Sequence, residues 1–250
     1  MNRNDLHIHL LPGVDDGPAD LPEALALAAD AAADGTSVAV ATPHIRPGYV
    51  DDVSELPDRV TELQLALVRE RISLALRVGG ELTHTMVDRL TQTELETIAQ
   101  GPPSGRWVLL EAPFAGFDEG FHAAAEELRE RRFGVLIAHP ERAGDPVEVL
   151  PALRREVLAG SSLQVNLWSI AGRHGDDARE MGLQLVRDGI AAVVASDAHP
   201  GWRRPLLSRA VAELEQAGVE PDMVRTVTST TPRRLLETGL RNGRRAAQPA

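Results

Sequence analysis

Short apolar runs alternate with longer helix-period segments along most of the 250 residues of this chain. Strands are predicted over seven runs: Asp5–Leu10, Ser37–Ala41, Ala75–Val78, Trp107–Leu110, Gly134–Ala138, Leu163–Leu167 and Ala191–Ala195. Helices are predicted over Leu21–Asp34, Glu55–Arg71, Thr83–Ala99, Phe117–Arg131, Val147–Leu158 and Asp176–Asp188. Strand–helix repetition of this kind favours parallel βαβ units, so the pattern predicts an α/β fold.

A single barrel is the architecture that seven such strands favour. With a helix after each strand, the pattern indicates a distorted (β/α)7 TIM-like barrel, slightly smaller than the eight-stranded form. A doubly wound open sheet is the alternative. No linker or change of composition marks a second domain, so we expect one domain over residues 1–240. The polar segment Arg241–Ala250 is expected to be a disordered tail.

Composition excludes several classes of protein. The hydrophobic fraction of 43% is enough for a sizeable core, which excludes a disordered chain. The net charge of −11 argues against a nucleic-acid partner, and the absence of lysine excludes Schiff-base and P-loop chemistry. The absence of cysteine excludes disulfides, thiol nucleophiles and thiolate metal ligands. No run suits a signal peptide or a membrane span, so we expect a cytoplasmic protein without membrane insertion.

Imidazole and carboxylate side chains recur at the carboxyl ends of the predicted strands. His7 and His9 form an HxH pair in the first strand, where residues two apart point to one face. Asp197 and His199 form a DxH pair after the last strand, and we expect the same geometry there. The strands between them end at His44, Glu81, Glu111 and His139. Because the carboxyl ends of barrel strands converge, we expect these eight side chains to surround one site.

Five imidazoles and three carboxylates are more ligands than one ion needs. Nitrogen and oxygen donors of this kind suit two or three divalent metals. The charge of the metals would exceed that of the carboxylates, which would make the pocket attractive to a phosphate dianion. Each motif alone has an ordinary explanation, such as helix capping by Glu111. Their recurrence at successive strand ends is what predicts a metal site.

Six separated motifs resemble a known superfamily in order and spacing. DLHIHLLPGVDDGP, TPH, GGE, LLE, HPER and SDAH are similar to motifs of the PHP (polymerase and histidinol phosphatase) superfamily. HxH followed by PGVDDGP, with HPER later, most resembles its capsule and exopolysaccharide branch of manganese-dependent bacterial tyrosine-protein phosphatases. The resemblance implies a distorted seven-stranded barrel with three metals, manganese in preference to iron or zinc. The implied substrate is the autophosphorylated tail of a bacterial tyrosine kinase of polysaccharide synthesis or export.

The resemblance also implies how the ligands divide among the three ions. Glu111 is expected to bridge the first and second ions. The first ion would take His7, His9, Glu111 and Asp197, the second Glu111 and His139, and the third His44, Glu81 and His199.

Two arginines and one histidine are the catalytic residues that the resemblance implies. Arg142, in HPER, matches a phosphate-binding arginine. His199, also an expected metal ligand, is the catalytic histidine. A further arginine follows the DAH motif, where Arg203 and Arg204 are adjacent and spacing favours Arg204. Arginine suits this role because its planar guanidinium binds two phosphate oxygens at once.

Several polar residues near the motifs have two explanations each. Asp15 and Asp16 either orient ligand imidazoles or form a turn and helix N-cap, and we expect the second role for one of them. His174 follows the sixth strand, and the sequence does not favour a position in the pocket over one outside it. His84 and His122 are expected to be surface or packed histidines.

The metal-binding pattern alone does not select the substrate. A small-molecule phosphomonoesterase such as a histidinol-phosphatase is the alternative to a protein phosphatase. A nuclease is disfavoured because no basic stripe is present, and a non-catalytic metal-binding module because no ligand is missing. The oligomeric state and the partner kinase stay open.

Overall fold

The computed structural model describes residues 3–240, so the tail predicted over Arg241–Ala250 lies outside the described residues. Its strands are β1 (Arg3–Ile8), β2 (Thr36–Ala41), β3 (His44–Ile45), β4 (Ala75–Val78), β5 (Glu81–Thr83), β6 (Trp107–Glu111), β7 (Gly134–Ala138), β8 (Ser162–Asn166) and β9 (Ala191–Ala195). Three of the seven predicted strands have these bounds, and the others differ by one or two residues at one or both ends.

The α-helices lie mostly between successive strands. They are α1 (Leu21–Ala33), α2 (Leu56–Arg69), α3 (Gln92–Ile98), α4 (Glu119–Glu130), α5 (Pro146–Leu158), α6 (Leu167–Ile170), α7 (Asp176–Arg187), α8 (Leu207–Gln216), α9 (Pro221–Arg225) and α10 (Thr231–Thr238). Within residues 3–240, no helix has both the length and the apolar character needed to cross a membrane.

The strands form two sheets, and all of their pairings are parallel. One sheet has the order β1-β2-β4 and the other the order β3-β5-β6-β7-β8-β9. Backbone hydrogen bonds then join β1 to the segment after β9: Asp197 N donates to the His7 carbonyl at 2.8 Å, and His9 N donates to the Ala198 carbonyl at 3.0 Å. The strands therefore surround a common centre as a distorted barrel, although the sheet ladder itself is not closed.

Two interruptions turn the seven predicted strand positions into nine strands. Thr42 and Pro43 separate β2 from β3, and Gly79 and Gly80 separate β4 from β5. After the breaks, β3 and β5 pair in the register His44 to Glu81 and join the larger sheet. The breaks therefore place His44 and Glu81 in the sheet whose strands also carry Glu111 and lead to His139.

Apolar side chains fill both faces of the strands, as in other buried parallel sheets. Leu109, Leu136 and Val193 belong to a core cluster that also contains Leu235 of α10. The indole nitrogen of Trp107, at the start of β6, donates to the Leu235 carbonyl at 3.0 Å. Helix α10 therefore covers the amino-terminal end of the strands and leaves their carboxyl ends as the open face.

The helix predicted over Thr83–Ala99 is wrong as a single element. The segment is a 3₁₀ helix over His84–Arg89, followed by α3. Leu90 is extended between them, and the Thr91 side chain accepts from the backbone N–H of Glu94 in a capping box that starts α3. The periodic apolar pattern crosses this break, which is why periodicity alone did not reveal it. A helix was also expected after the last strand, without bounds, and α8, α9 and α10 follow β9.

Candidate metal centre

The two histidines of the first motif lie at the centre of the open face. Their Nε2 atoms are 3.3 Å apart, and both side chains are fully buried. His7 is the next-to-last residue of β1, whereas His9 follows the strand. The i, i+2 spacing thus brings both imidazoles to one point, although only the first belongs to the strand.

Glu81 is the carboxylate of the site that contacts the largest number of imidazoles. Its Oε2 lies 3.3 Å from His7 Nε2, 3.3 Å from His9 Nε2 and 3.0 Å from His44 Nδ1. Its Oε1 lies 2.7 Å from His139 Nε2. Four imidazoles from three parts of the barrel therefore converge on one buried side chain.

Glycines allow Glu81 to reach this position. A Cβ at Gly79 would clash with the Val40 side chain, and a Cβ at Gly80 would lie 2.7 Å from Ile45 Cγ1. Only residues without a side chain let the backbone pass so close to β2 and β3. The GGE motif is therefore a strand break that delivers a carboxylate.

Asp197 is the second carboxylate beside His7 and His9. Its Oδ1 lies 3.4 Å from the Nε2 atom of each histidine. Asn166 Nδ2 donates to its Oδ2 at 2.7 Å. Asp197 has a φ of +47°, in the left-handed region. The strand geometry expected for the DxH pair is therefore wrong: both residues lie in a loop, and the bend turns Asp197 towards β1.

A second group of donors lies towards solvent. Asp16 Oδ1 is 3.1 Å from His199 Nε2 and 3.4 Å from His44 Nε2. The side chain of Asp16 is 42% exposed, in contrast to the buried histidines. The N-cap of α1 is Asp20, which accepts from Glu23 N. Neither carboxylate of the DD pair therefore caps the helix.

Asp15 contacts two of the candidate ligands from behind. Its Oδ2 lies 2.6 Å from His9 Nδ1 and accepts a hydrogen bond from the His44 backbone N–H at 3.0 Å. Its Oδ1 accepts from Gly17 N at 2.9 Å in a local turn. Asp15 therefore both shapes the loop and orients the His9 ring.

Potential metal-binding donors fall into three groups within the described residues. In each group, ligand atoms from all members lie within 4.8 Å of one another. The groups are His7, His9, Glu81 and Asp197; His9, Asp16, His44 and His199; and His44, Glu81 and Glu111. This grouping differs from the expected division. Glu81, His9 and His44 each belong to two groups, whereas Glu111 belongs to one. Asp16 joins the set, and His139 belongs to none of the three groups.

The family of the chain follows from its sequence match. A family model described as capsular polysaccharide synthesis, CpsB/CapC, matches residues 3–237. The chain belongs to the CpsB/CapC family. CapC from Staphylococcus aureus is 30% identical over 206 residues, which cover 81% of this chain and 79% of the relative. The tyrosine-protein phosphatase YwqE from Bacillus subtilis is 28% identical over 202 residues, covering 78% and 76%.

Solved structures have the same fold as this CpsB/CapC chain. One, described as belonging to YwqE from Bacillus subtilis and CpsB from Streptococcus pneumoniae, "unique metal-dependent tyrosine phosphatases", has a TM-score of 0.81 at 26% identity and covers 99% of both chains. The phosphotriesterase homology protein from Escherichia coli has a TM-score of 0.61 at 14% identity, covering 93% of this chain and 98% of that one. The second likeness concerns the fold alone.

Unsatisfied buried atoms show that the CpsB/CapC site fits metal ions. Glu81 Oε2 and His44 Nδ1 are buried and have no hydrogen-bond partner within residues 3–240, although they lie 3.0 Å apart. His139 Nδ1 is in the same condition. Buried polar atoms are normally paired, and lone pairs that face one another need a cation between or beside them. The nitrogen and oxygen donors are those that manganese, iron and zinc accept.

Burial and charge act against each other on the pKa values of this site. Burial alone would raise the pKa of Glu81, but the nearby His7 charge and the contact with His139 hold it well below its ordinary value. Burial alone would lower the pKa of His9, but Asp15, Asp197 and Glu81 raise it well above its ordinary value. Without metal, the carboxylates therefore favour protons on His7 and His9, whereas the pKa values of His139 and His199 are lowered, mainly by burial.

Glu111 behaves differently from the other carboxylates. Burial, followed by repulsion from Glu81, raises the pKa of Glu111 to about 7. A nearby cation would stabilise the ionised form of this buried carboxylate and offset the repulsion from Glu81. Its position in the third group of donors is therefore consistent with a metal-binding role.

Arginines line the same cavity, whose volume is about 320 Å³. Arg142 NH1 donates to Asp197 Oδ2 at 3.1 Å, and Arg203 NH1 donates to the same atom at 3.5 Å. Arg204 instead forms two hydrogen bonds with Asp30 of α1, at 2.9 and 2.6 Å, on the outer surface. Arg204, which spacing favoured, therefore does not line the cavity, whereas Arg203 does, together with Arg142 and Arg46.

The remaining histidines separate into two classes. His174 lines the cavity, and its Nδ1 lies 3.0 Å from Ser169 Oγ. Burial, followed by the charge of Arg142, lowers the pKa of His174 to about 3. His122 is buried 2.7 Å from Glu156, and His84 packs edge-on against Phe121. Those two are packed histidines away from the metal centre, as predicted.

Two polar residues of β8 support the site but were missed in the sequence. Gln164 Oε1 lies 3.0 Å from His7 Nδ1, and Asn166 contacts Asp197. Both are fully buried. Their signal was present in SLQVN, where two amides alternate with apolar residues and so share one face of a buried strand.

Proposed function

We propose that this CpsB/CapC chain is a metal-dependent tyrosine-protein phosphatase. The observation that carries the proposal is one open cavity at which three donor groups meet Arg142 and Arg203, with Arg46 as a third arginine in its lining. Relatives named tyrosine-protein phosphatases, from Bacillus subtilis and Streptococcus pneumoniae, support the same activity. So does the solved structure of metal-dependent tyrosine phosphatases that shares the fold.

The proposed metal ligands are the eight predicted side chains together with Asp16. Three donor groups support three divalent ions, and manganese is the proposed metal. When bound, such ions would supply positive charge near the phosphoryl oxygens and would activate water for attack on phosphorus. His199 is assigned to ligand binding together with Asp16, rather than to proton transfer.

The two arginines hold the phosphoryl group in this proposal. Arg142 and Arg203 both reach Asp197 Oδ2, which keeps their guanidinium groups at the edge of the metal centre. Each guanidinium has further N–H donors that can bind non-bridging phosphate oxygens. Their fixed charge stabilises negative charge that develops on those oxygens during hydrolysis.

The leaving group needs little help from an acid. A tyrosine phenolate has a pKa near 10, far below that of an alkoxide, so it departs without a fully formed proton transfer. His174, which lines the cavity, is neutral at physiological pH because its pKa is lowered to about 3. We therefore assign no general acid.

The proposed substrate is the phosphotyrosine tail of a bacterial tyrosine kinase of polysaccharide synthesis. Membership of a capsular polysaccharide synthesis family supports this partner class. The cavity opens at the carboxyl ends of the strands, where an extended tail can enter. Because such a kinase uses ATP, the proposal includes a cytoplasmic location.

Turnover of three substrates tests the proposal. With Mn²⁺, we expect the protein to hydrolyse a phosphotyrosine peptide faster than histidinol phosphate, and not to cleave single-stranded DNA. EDTA and the variant His139→Ala should each abolish hydrolysis, whereas His84→Ala, a histidine outside the centre, should keep it. Faster turnover of histidinol phosphate, or full activity of His139→Ala, would contradict the proposal.

A further inference from the structure

Exposed aromatic rings in this chain are confined to one place. The chain has only four Phe, three Trp and one Tyr. Three of these side chains are exposed, namely Tyr49, Phe114 and Trp202, at 37, 53 and 49%. Phe114 and Trp202 line the cavity of the metal centre, and Tyr49 stacks on His44 at 5.6 Å. Exposed aromatic surface costs free energy in water, so its concentration here indicates a binding surface.

Phe114 lies in the cavity beside His139 and Arg142. Its ring is parallel to that of His139, with centroids 5.8 Å apart and an angle of 2°. The guanidinium carbon of Arg142 lies 4.8 Å from the ring centroid. The exposed ring of Phe114 therefore lies beside Arg142, the arginine that is proposed to hold the phosphoryl group.

Trp202 enters the cavity from another part of the rim. It follows β9, whereas Phe114 follows β6, and β7 and β8 lie between these strands in the sheet. Trp168 and His174 contact the indole edge-on at 5.8 and 5.7 Å, which fixes its orientation. Two supported rings thus reach one cavity from separate elements.

We propose that Phe114 and Trp202 form an aromatic clamp that binds the tyrosyl ring of the substrate and so selects aryl over alkyl phosphoesters. This inference rests on the proposed function. The chemistry of the cavity indicates what the clamp binds. Its arginines and candidate metal ligands suit a phosphate, so the group between the aromatic rings must be attached to one. An aromatic ring one ester oxygen from phosphorus meets both demands, whereas phosphoserine and phosphothreonine offer no flat face.

Binding of two phosphonates to the Mn²⁺-loaded full chain tests the clamp. Benzylphosphonate carries a ring one atom away from phosphorus, as in a phenyl ester, whereas ethylphosphonate has no ring, and both share the charged head. We expect the wild-type protein to bind benzylphosphonate the more tightly, and Phe114→Ala and Trp202→Ala each to reduce that preference by about three- to tenfold. The readout is the ratio of the two affinities, so any loss that affects the phosphate site equally cancels.

Leu158→Ala is the matched control, because Leu158 is 88% exposed at the end of α5 and does not line the cavity. It should leave the ratio unchanged. An unchanged ratio in both aromatic variants, or no wild-type preference for benzylphosphonate, would overturn the clamp. Hydrolysis of a phosphotyrosine peptide is measured separately: if wild-type protein lacks it but keeps the ratio, the proposed function fails and the clamp stands.

Discussion

The carboxylate of Glu81 shows what single residues could and could not reveal before the structure. Its type and its place after a strand predicted a role at the site. Its central position, with His7, His9 and His44 around one oxygen, was not predictable, since it depends on how β5 pairs with β3. Glu81 and Glu111 follow similar patterns at the ends of neighbouring strands, so sequence alone does not distinguish them. The break before β5 brings Glu81 to the histidines.

Asp15 carries a prediction at this scale. Asp15→Asn removes the charge 2.6 Å from His9 Nδ1 while it keeps a side chain of the same shape. We expect Mn²⁺ affinity to fall by about ten- to a hundredfold, because a carboxylate behind a ligand imidazole fixes its tautomer and raises its basicity. Titration of the metal-free protein with Mn²⁺ in a calorimeter measures the change.

Asp20→Asn is the control for that variant, since asparagine replaces aspartate as a helix N-cap at little cost. Equal Mn²⁺ affinities for the two variants would contradict the positioning role of Asp15.

At the scale of elements, strand positions were predictable and their interruptions were not. Apolar runs located Ala75–Val78, Gly134–Ala138 and Ala191–Ala195 with the bounds that the structure has. The breaks after β2 and β4 depend on contacts between strands, which no local pattern contains. The same holds for Leu90, whose extended backbone divides one predicted helix into two pieces.

Gly80→Ala tests the strand break. Its added Cβ would lie 2.7 Å from Ile45 Cγ1 and 3.2 Å from Ile98 Cγ2, so β3 and β5 must move apart. We expect a loss of about 1–3 kcal/mol in the free energy of unfolding, as for other overpacked cores, together with weaker Mn²⁺ binding. Urea denaturation and metal titration measure the two effects.

Gly120→Ala is the matched substitution in the first turn of α4, where alanine favours the helix. It should change the free energy of unfolding by less than about 1 kcal/mol and leave Mn²⁺ binding intact. If Gly80→Ala behaved in the same way, the close approach of β5 to β3 would not be needed for the site.

For the whole molecule, charge balance at the site links stability to both metal and pH. The chain is acidic overall, with a net charge of −11. In the metal-free protein, neighbouring carboxylates outweigh burial and raise the pKa values of His7 and His9 above their ordinary value of 6.5. Protonation of these groups therefore stabilises the metal-free fold below pH 6.5, and this contribution is lost as the pH rises through the raised pKa values.

Metal binding should have the opposite pH dependence, because the ions must displace those protons. We expect Mn²⁺ at a hundredfold excess over its Kd to stabilise the protein by roughly 2.7 kcal/mol, and a fixed Mn²⁺ concentration to raise Tm more at pH 8 than at pH 6. Thermal unfolding with Mn²⁺ and with EDTA at several pH values measures the effect. A larger rise at pH 6, or the same response from His7→Ala, would contradict the linkage.

The hydrogen bonds that join β1 to the segment after β9 have a consequence for biosynthesis. His7 and His9 leave the ribosome long before Asp197 and His199, so a nascent chain carries bare imidazoles without the carboxylate that completes their site. The two donor groups that contain Asp197 or His199 are therefore complete only in a chain whose synthesis has passed β9, whereas His44, Glu81 and Glu111 leave the ribosome earlier.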